Sequence, residues 1–133
     1  MGQSSSARGA SLLGVQPGHW LAIKAAGGNA NLAARLDKII GSAGLVTSQS
    51  HGRSLIRLSG PRARDVLAKG TPVDLSDSAC KPGMVAATQI GHVGVVVACT
   101  GADSFDLLVH RSFVEGFWLG LCELALEWGY EVR

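Results

Sequence analysis

The feature that most constrains how this chain can fold is the run at residues 50–70, from Ser50-His51-Gly52-Arg53 through Leu55-Ile56-Arg57-Leu58 and Ser59-Gly60-Pro61 to Gly70. A short apolar, strand-favouring segment breaks at a Ser-Gly-Pro corner and gives way to helix-favouring residues that stop at a glycine. That order predicts a strand, a tight corner and a helix. Gly60 suits the N-cap and Pro61 the first helical position, where its missing N–H would have had no partner. Gly70 suits a left-handed stop.

Length and composition say how much can pack around that unit. At 133 residues the chain makes one domain's worth, able to bury about two thirds of its unfolded surface. It is 47% hydrophobic and 17% charged with 18 glycines, which describes a globular chain rich in turns. Residues 1–10 read as a disordered tail and residues 11–133 as a single α+β domain.

Within that domain, Pro17-Gly18 between two apolar runs predicts a hairpin whose second strand covers about residues 20–24, closed by Gly27-Gly28. Asn29 or Asn31 can cap a helix in which Leu32, Leu36, Ile39 and Ile40 recur at helical spacing, and that face is expected to lie on a sheet. In the next helix Arg62, Arg64, Asp65 and Lys69 are expected to be solvated. Residues 84–90, 93–100 and 104–109 read as an antiparallel meander. Its uninterrupted Val95-Val96-Val97 predicts a middle strand covered on both faces.

Ser112-Phe113-Val114-Glu115 has the form of a capping box and opens a helix predicted to reach about Trp128. Phe113, Phe117, Leu121, Leu124 and Trp128 form its stripe, yet Leu119 and Cys122 fall on the flank where only glutamates should sit. Residues 130–132 are expected to add a short final strand. The fold class expected is therefore α+β, a mostly antiparallel sheet with two or three helices packed on it.

The residues that carry chemistry are sparse. A formal charge of +2 with scattered basic residues gives no stripe for phosphates, and no apolar window is long enough to span a membrane, so neither nucleic acid nor membrane is an expected partner. Three widely spaced cysteines, Cys80, Cys99 and Cys122, argue against a disulfide framework and a zinc site and fit a reducing cytoplasm. The four histidines lie at element ends without ligand spacing, and the acids fall mostly on turns and exposed faces. Gly91-His92-Val93-Gly94 lacks the context of a phosphate loop.

No catalytic, cofactor-binding or metal residue is assigned on these grounds. The excess of apolar surface on the last helix points instead to a partner interface at Phe117, Trp118, Leu119, Cys122 and Leu126. The alternative is a stand-alone binder of folate or another small molecule, with His51, Arg53 and His92 around a pocket.

Several of these pieces together resemble a known family. Ser50-His51-Gly52-Arg53, Arg57-Leu58-Ser59-Gly60-Pro61-Arg62-Ala63-Arg64-Asp65-Val66-Leu67, Val73-Asp74-Leu75, Pro82-Gly83, Thr88-Gln89-Ile90-Gly91-His92-Val93 and Phe105-Asp106-Leu107-Leu108-Val109 follow the order and spacing of the gamma subunit of heterotetrameric sarcosine oxidase. More distantly, the unit is similar to half of the folate-binding domain of glycine-cleavage aminomethyltransferases. Ser48 stands where that domain carries its first aspartate, and Gly91 to Val96 contain no acid.

The resemblance implies a non-catalytic subunit of a flavin-dependent oxidoreductase complex that oxidatively demethylates sarcosine to glycine. It implies docking on an alpha subunit, with beta and delta completing the complex. It implies no cofactor on this chain, with FAD, FMN, NAD and tetrahydrofolate in partner subunits and zinc in delta.

Overall fold

The computed structural model describes residues 2–7, 9–24 and 31–133. In chain order the elements are β1 (Gly2–Ala7), β2 (Ala10–Gln16), β3 (His19–Lys24), α1 (Leu32–Ile40), β4 (Arg53–Ser59), α2 (Ala63–Ala68), β5 (Met84–Ile90), β6 (Val93–Gly101), β7 (Ser104–His110) and α3 (Val114–Ala125). The strands form one seven-stranded sheet in the order β3-β2-β1-β5-β6-β7-β4, antiparallel at every pairing. The expected α+β class, hairpin, strand-corner-helix unit and meander are all present.

Side-chain alternation along β6 explains how the sheet is covered. Val95, Val97 and Cys99 face Ala63, Val66 and Leu67 of α2 and Phe117, Leu121 and Ala125 of α3. Val96 and Ala98 face the other way and pack with Leu13, Val15, Leu21 and Ile23 from the β2–β3 hairpin. The sheet therefore curls until its own hairpin covers the face opposite the helices. That is why the valine run carries no polar residue.

Gly2–Ala7 is a strand, where a tail to about residue 10 was expected. It pairs with β2 along Ser4↔Leu13 to Ala7↔Ala10 and with β5 at Gly2↔Val85 and Gln3↔Met84. Backbone bonds on both edges hold this serine-rich segment, and they leave no apolar period in the sequence to read.

The 59–61 corner also differs in detail. Gly60 sits at φ 131°, a conformation essentially reserved for glycine; its N–H donates to the Asp103 carbonyl at 3.0 Å and its own carbonyl accepts from the Ala63 N–H at 2.9 Å. The helix N-cap is Arg62, so Pro61 belongs to the turn before the helix.

Gly70 is absent from the positive-φ glycines, and the helix ends in right-handed geometry at Lys69. A Cβ at Gly70 would lie 2.9 Å from Ile90 Cγ2 and 3.0 Å from Leu124 Cδ1. Glycine is required there by close approach of β5 and α3, not by a left-handed stop.

Helix α1 forms where its periodicity predicts a helix, but not with the predicted packing, because none of its residues is buried. The helix-bearing face of the sheet is already occupied by α2 and α3. Its cap is Asn31 without a side-chain hydrogen bond; the alternative cap Asn29 and the Gly27-Gly28 break lie outside the described residues.

The capping box is likewise not formed. A short helical turn at Arg111–Phe113 takes up Ser112, the N-cap is Phe113, and no side chain caps α3. After Ala125 the chain tightens to i→i+3 bonds from Trp128 and Gly129, and residues 130–132 form no strand.

Arg64 is the largest departure from expectation. Its side chain is 14% exposed rather than solvated. Nη1 donates to the carbonyls of Leu75 and Cys80, and Nε and Nη2 both donate to the Ala102 carbonyl, at 2.9 and 2.6 Å. Asp77 pairs with Nε at 2.8 Å, and the guanidinium lies 5.1 Å from the centre of the Phe105 ring. One planar fork thus ties α2 to the 71–83 connection and to the β6–β7 turn.

Two stability outcomes follow from this packing. Arg64→Met keeps the stem but strands these carbonyls, and is expected to lower the unfolding free energy by about 2–4 kcal/mol in urea titration. Arg62→Met, which loses only an exposed pair with Asp65, is expected to cost under about 0.5 kcal/mol. Equal losses in the two variants would contradict the role given to Arg64. Gly70→Ala should cost about 1–3 kcal/mol through overpacking against Ile90 and Leu124.

Candidate docking surface

Helix α3 divides its residues between two sides. Phe117, Leu121 and Ala125, four apart, point into the core. Trp118, Cys122 and Leu126 are also four apart, and Leu119 lies three before Cys122, so these residues share the opposite flank. Leu119 is 60% exposed and Leu126 66%; Trp118 is also exposed and Cys122 half-buried. Phe117, at 3%, belongs to the core and is removed from the set predicted to meet a partner.

The chain around α3 extends this flank. Tyr130 is exposed, and neighbouring Cys122 pushes its phenol above the ordinary value. Phe113, assigned to the inward stripe from its spacing, is exposed because the Arg111–Phe113 turn rotates it away. At the helix C-terminus Lys69 pairs with Glu127 at 2.5 Å and lies 4.1 Å from the centre of the Trp128 ring. The result is an apolar flank with a charged end.

The residues of the alternative pocket lie toward one end of the sheet. Arg53 opens β4 opposite His110, His51 is in the turn before it, and His92 is in the β5–β6 turn. His51 and His92 are exposed. Two clefts lie elsewhere. One, of about 320 Å³, is lined by Ser4, Ser6, Ser11, Thr100 and Asp106 among others; the second, of about 580 Å³, runs beside Val15, Trp20, Val73 and Ala86. Neither includes His51, Arg53 or His92.

Asp106 was not singled out in the sequence. Arg57, directly opposite on β4, grips its carboxylate with two bonds of 2.7 and 2.9 Å, which raises the guanidinium pKa. The carboxylate in the first cleft is therefore already ion-paired. Only the strand register, invisible in a single sequence, could have revealed the pair.

Cys80 and Cys99 are buried free thiols, and Cys122 is half-buried. Burial pushes the Cys80 thiol up, neighbouring Cys99 adds to the shift, and Arg64 opposes it. Among the described residues no group of three His, Cys, Asp or Glu side chains gathers as a metal site, and no helix is long and apolar enough to cross a membrane.

The class is thus an α+β domain whose curled antiparallel sheet packs two helices on one face and leaves one flank of the last helix bare. The chain belongs to the sarcosine oxidase gamma subunit family, whose profile matches residues 4–127. It is similar to the sarcosine oxidase subunit gamma of Corynebacterium sp. (strain P-1), with 35% identity over 113 residues, and to that of Arthrobacter sp., with 34%.

Each alignment covers 84% of this chain and 55% of the relative, so the chain spans just over half the length of the curated relatives it matches. A chain of the heterotetrameric sarcosine oxidase from Corynebacterium sp. U-96, solved with pyrrole 2-carboxylate, superposes with TM-score 0.87 and 28% identity. That match covers 100% of this chain and 69% of the other. The resemblance to the gamma-subunit family read in the sequence is confirmed.

Thiol chemistry checks the cysteine environments. In the folded protein a thiol reagent should modify Cys122 first, and Cys80 and Cys99 only on unfolding, as read by mass spectrometry. Because the Cys80 thiol is raised on folding, its contribution to stability is constant below the ordinary thiol pKa of 9.0 and is lost as pH rises through the folded value. Fast labelling of Cys80 at neutral pH would contradict the packing described.

Proposed function

We propose that this chain is the gamma subunit of a heterotetrameric sarcosine oxidase, a complex that oxidatively demethylates sarcosine to glycine. It acts there by being held against its partners rather than by turning substrate over. Family membership supports the reading, as does the likeness to a chain solved inside such a heterotetramer. The observation that carries the docking role is the outward flank of α3, where Trp118, Leu119, Cys122 and Leu126 form one apolar strip. Obligate interfaces have this character because they resemble a core cut in two.

In this reading the strip docks on the alpha subunit, with beta and delta completing the complex. FAD, FMN, NAD and tetrahydrofolate belong to partner subunits, and this chain contributes no catalytic group. Three free cysteines fit assembly in a reducing cytoplasm.

Co-expression with the alpha, beta and delta subunits tests the proposal. The wild-type chain should co-purify with them. Leu119→Asp/Leu126→Asp should leave its own fold intact, because both side chains are exposed, while weakening association by roughly 2 kcal/mol or more. Sarcosine turnover or flavin binding by the isolated chain would overturn the reading. A stabilisation of about 2.7 kcal/mol by tetrahydrofolate at a hundred times its Kd would favour a stand-alone binder instead.

A further inference from the structure

We propose that helix α1 is a second docking element, whose apolar line seats in an apolar, acid-rimmed groove on a neighbouring subunit of the assembled oxidase. The inference rests on the subunit reading above and adds to it where a second contact forms and what chemistry receives it.

Leu32, Leu36, Ile39 and Ile40 follow the spacing by which a short amphipathic helix lies in a groove. The chain's own body covers that line only in part. Leu32 and Leu36 are half-buried, but no residue of α1 is fully buried, Ile39 is 77% exposed, and Leu45 just beyond it is 90% exposed.

The helix is also weak by itself. Nine residues fall below the length at which an isolated helix is stable in water. Asn31 makes no side-chain cap bond, and the first turn carries no acid to favour the helix dipole. Packing normally supplies what capping and length do not, and here packing must come from outside.

Charge identifies the occupant. Arg35 and Lys38 flank the apolar line, with Asp37 beside them, and among the described residues none of the three enters an ion pair. Two cations against one anion call for a rim of carboxylates on the receiving surface. A second copy of this chain fits poorly, because a twofold α1–α1 contact would set Arg35 and Lys38 against their own counterparts. The match to a chain of a solved heterotetramer covers the whole of this sequence, so it includes the α1 segment.

The test is co-expression of Ile39→Asp/Ile40→Asp with the alpha, beta and delta subunits, beside wild type and beside Leu119→Asp/Leu126→Asp. In the isolated chain the α1 variant should leave the melting temperature unchanged, since neither isoleucine is buried. In the complex it should weaken association at least about tenfold. Arg35→Glu/Lys38→Glu, which leaves the apolar line intact, should also weaken association, most strongly at low salt.

An Ile39→Asp/Ile40→Asp chain that assembles like wild type while Leu119→Asp/Leu126→Asp does not would overturn this inference alone. Failure of the wild-type chain to assemble would overturn the subunit reading and this one with it. A concentration-dependent dimer of the isolated chain, abolished by Ile39→Asp/Ile40→Asp, would make a second copy the occupant and refute the groove.

Discussion

The guanidinium of Arg64 is the interaction on which the rest of the structure depends. A charge that is mostly withdrawn from water needs hydrogen-bond partners, and Arg64 finds them in carbonyls from the 71–83 connection and the β6–β7 turn. Those bonds fix Leu75 and Cys80 as parts of the core, although both lie outside regular structure. With the connection fixed, α2 and α3 meet over β6. One side of α3 is then committed to Phe117, Leu121 and Ala125, which turns Trp118, Leu119 and Leu126 outward.

A second constraint is that β6 must be covered twice. Val95, Val97 and Cys99 require apolar neighbours on one face, and Val96 and Ala98 on the other. The two helices serve the first face. The β2–β3 hairpin, carried around by β1, serves the second. This arrangement gives the serine-rich strand β1 a structural purpose, since it bridges the hairpin and the meander. It also leaves α1 without a place on the sheet.

Much of this was legible wherever the signal is local. The Ser59-Gly60-Pro61 corner, the Pro17-Gly18 hairpin, the meander and the excess of apolar residues on the last helix all follow from neighbours within a few positions. The misreadings share one cause. Arg64 looked solvated because its spacing on α2 is polar, and its carbonyl partners lie 11 to 38 positions away. Gly70 looked like a stop signal, but its role comes from Ile90 and Leu124. Phe117 looked like part of the docking face because α3 is apolar nearly all round, and periodicity cannot assign such a helix a buried side.

By itself the sequence determined the kinds of element, their order, the two-sided burial of β6 and the family, because turn chemistry, side-chain period and motif spacing are written in adjacent residues. Only the tertiary structure decided which flank of α3 is bare, that α1 lies off the sheet, that Asp106 is matched to Arg57, and that Arg64 is a half-buried clamp. Each of these depends on which distant segments meet, and strand register and helix rotation are settled by the packing of the whole core rather than by any single stretch of chain.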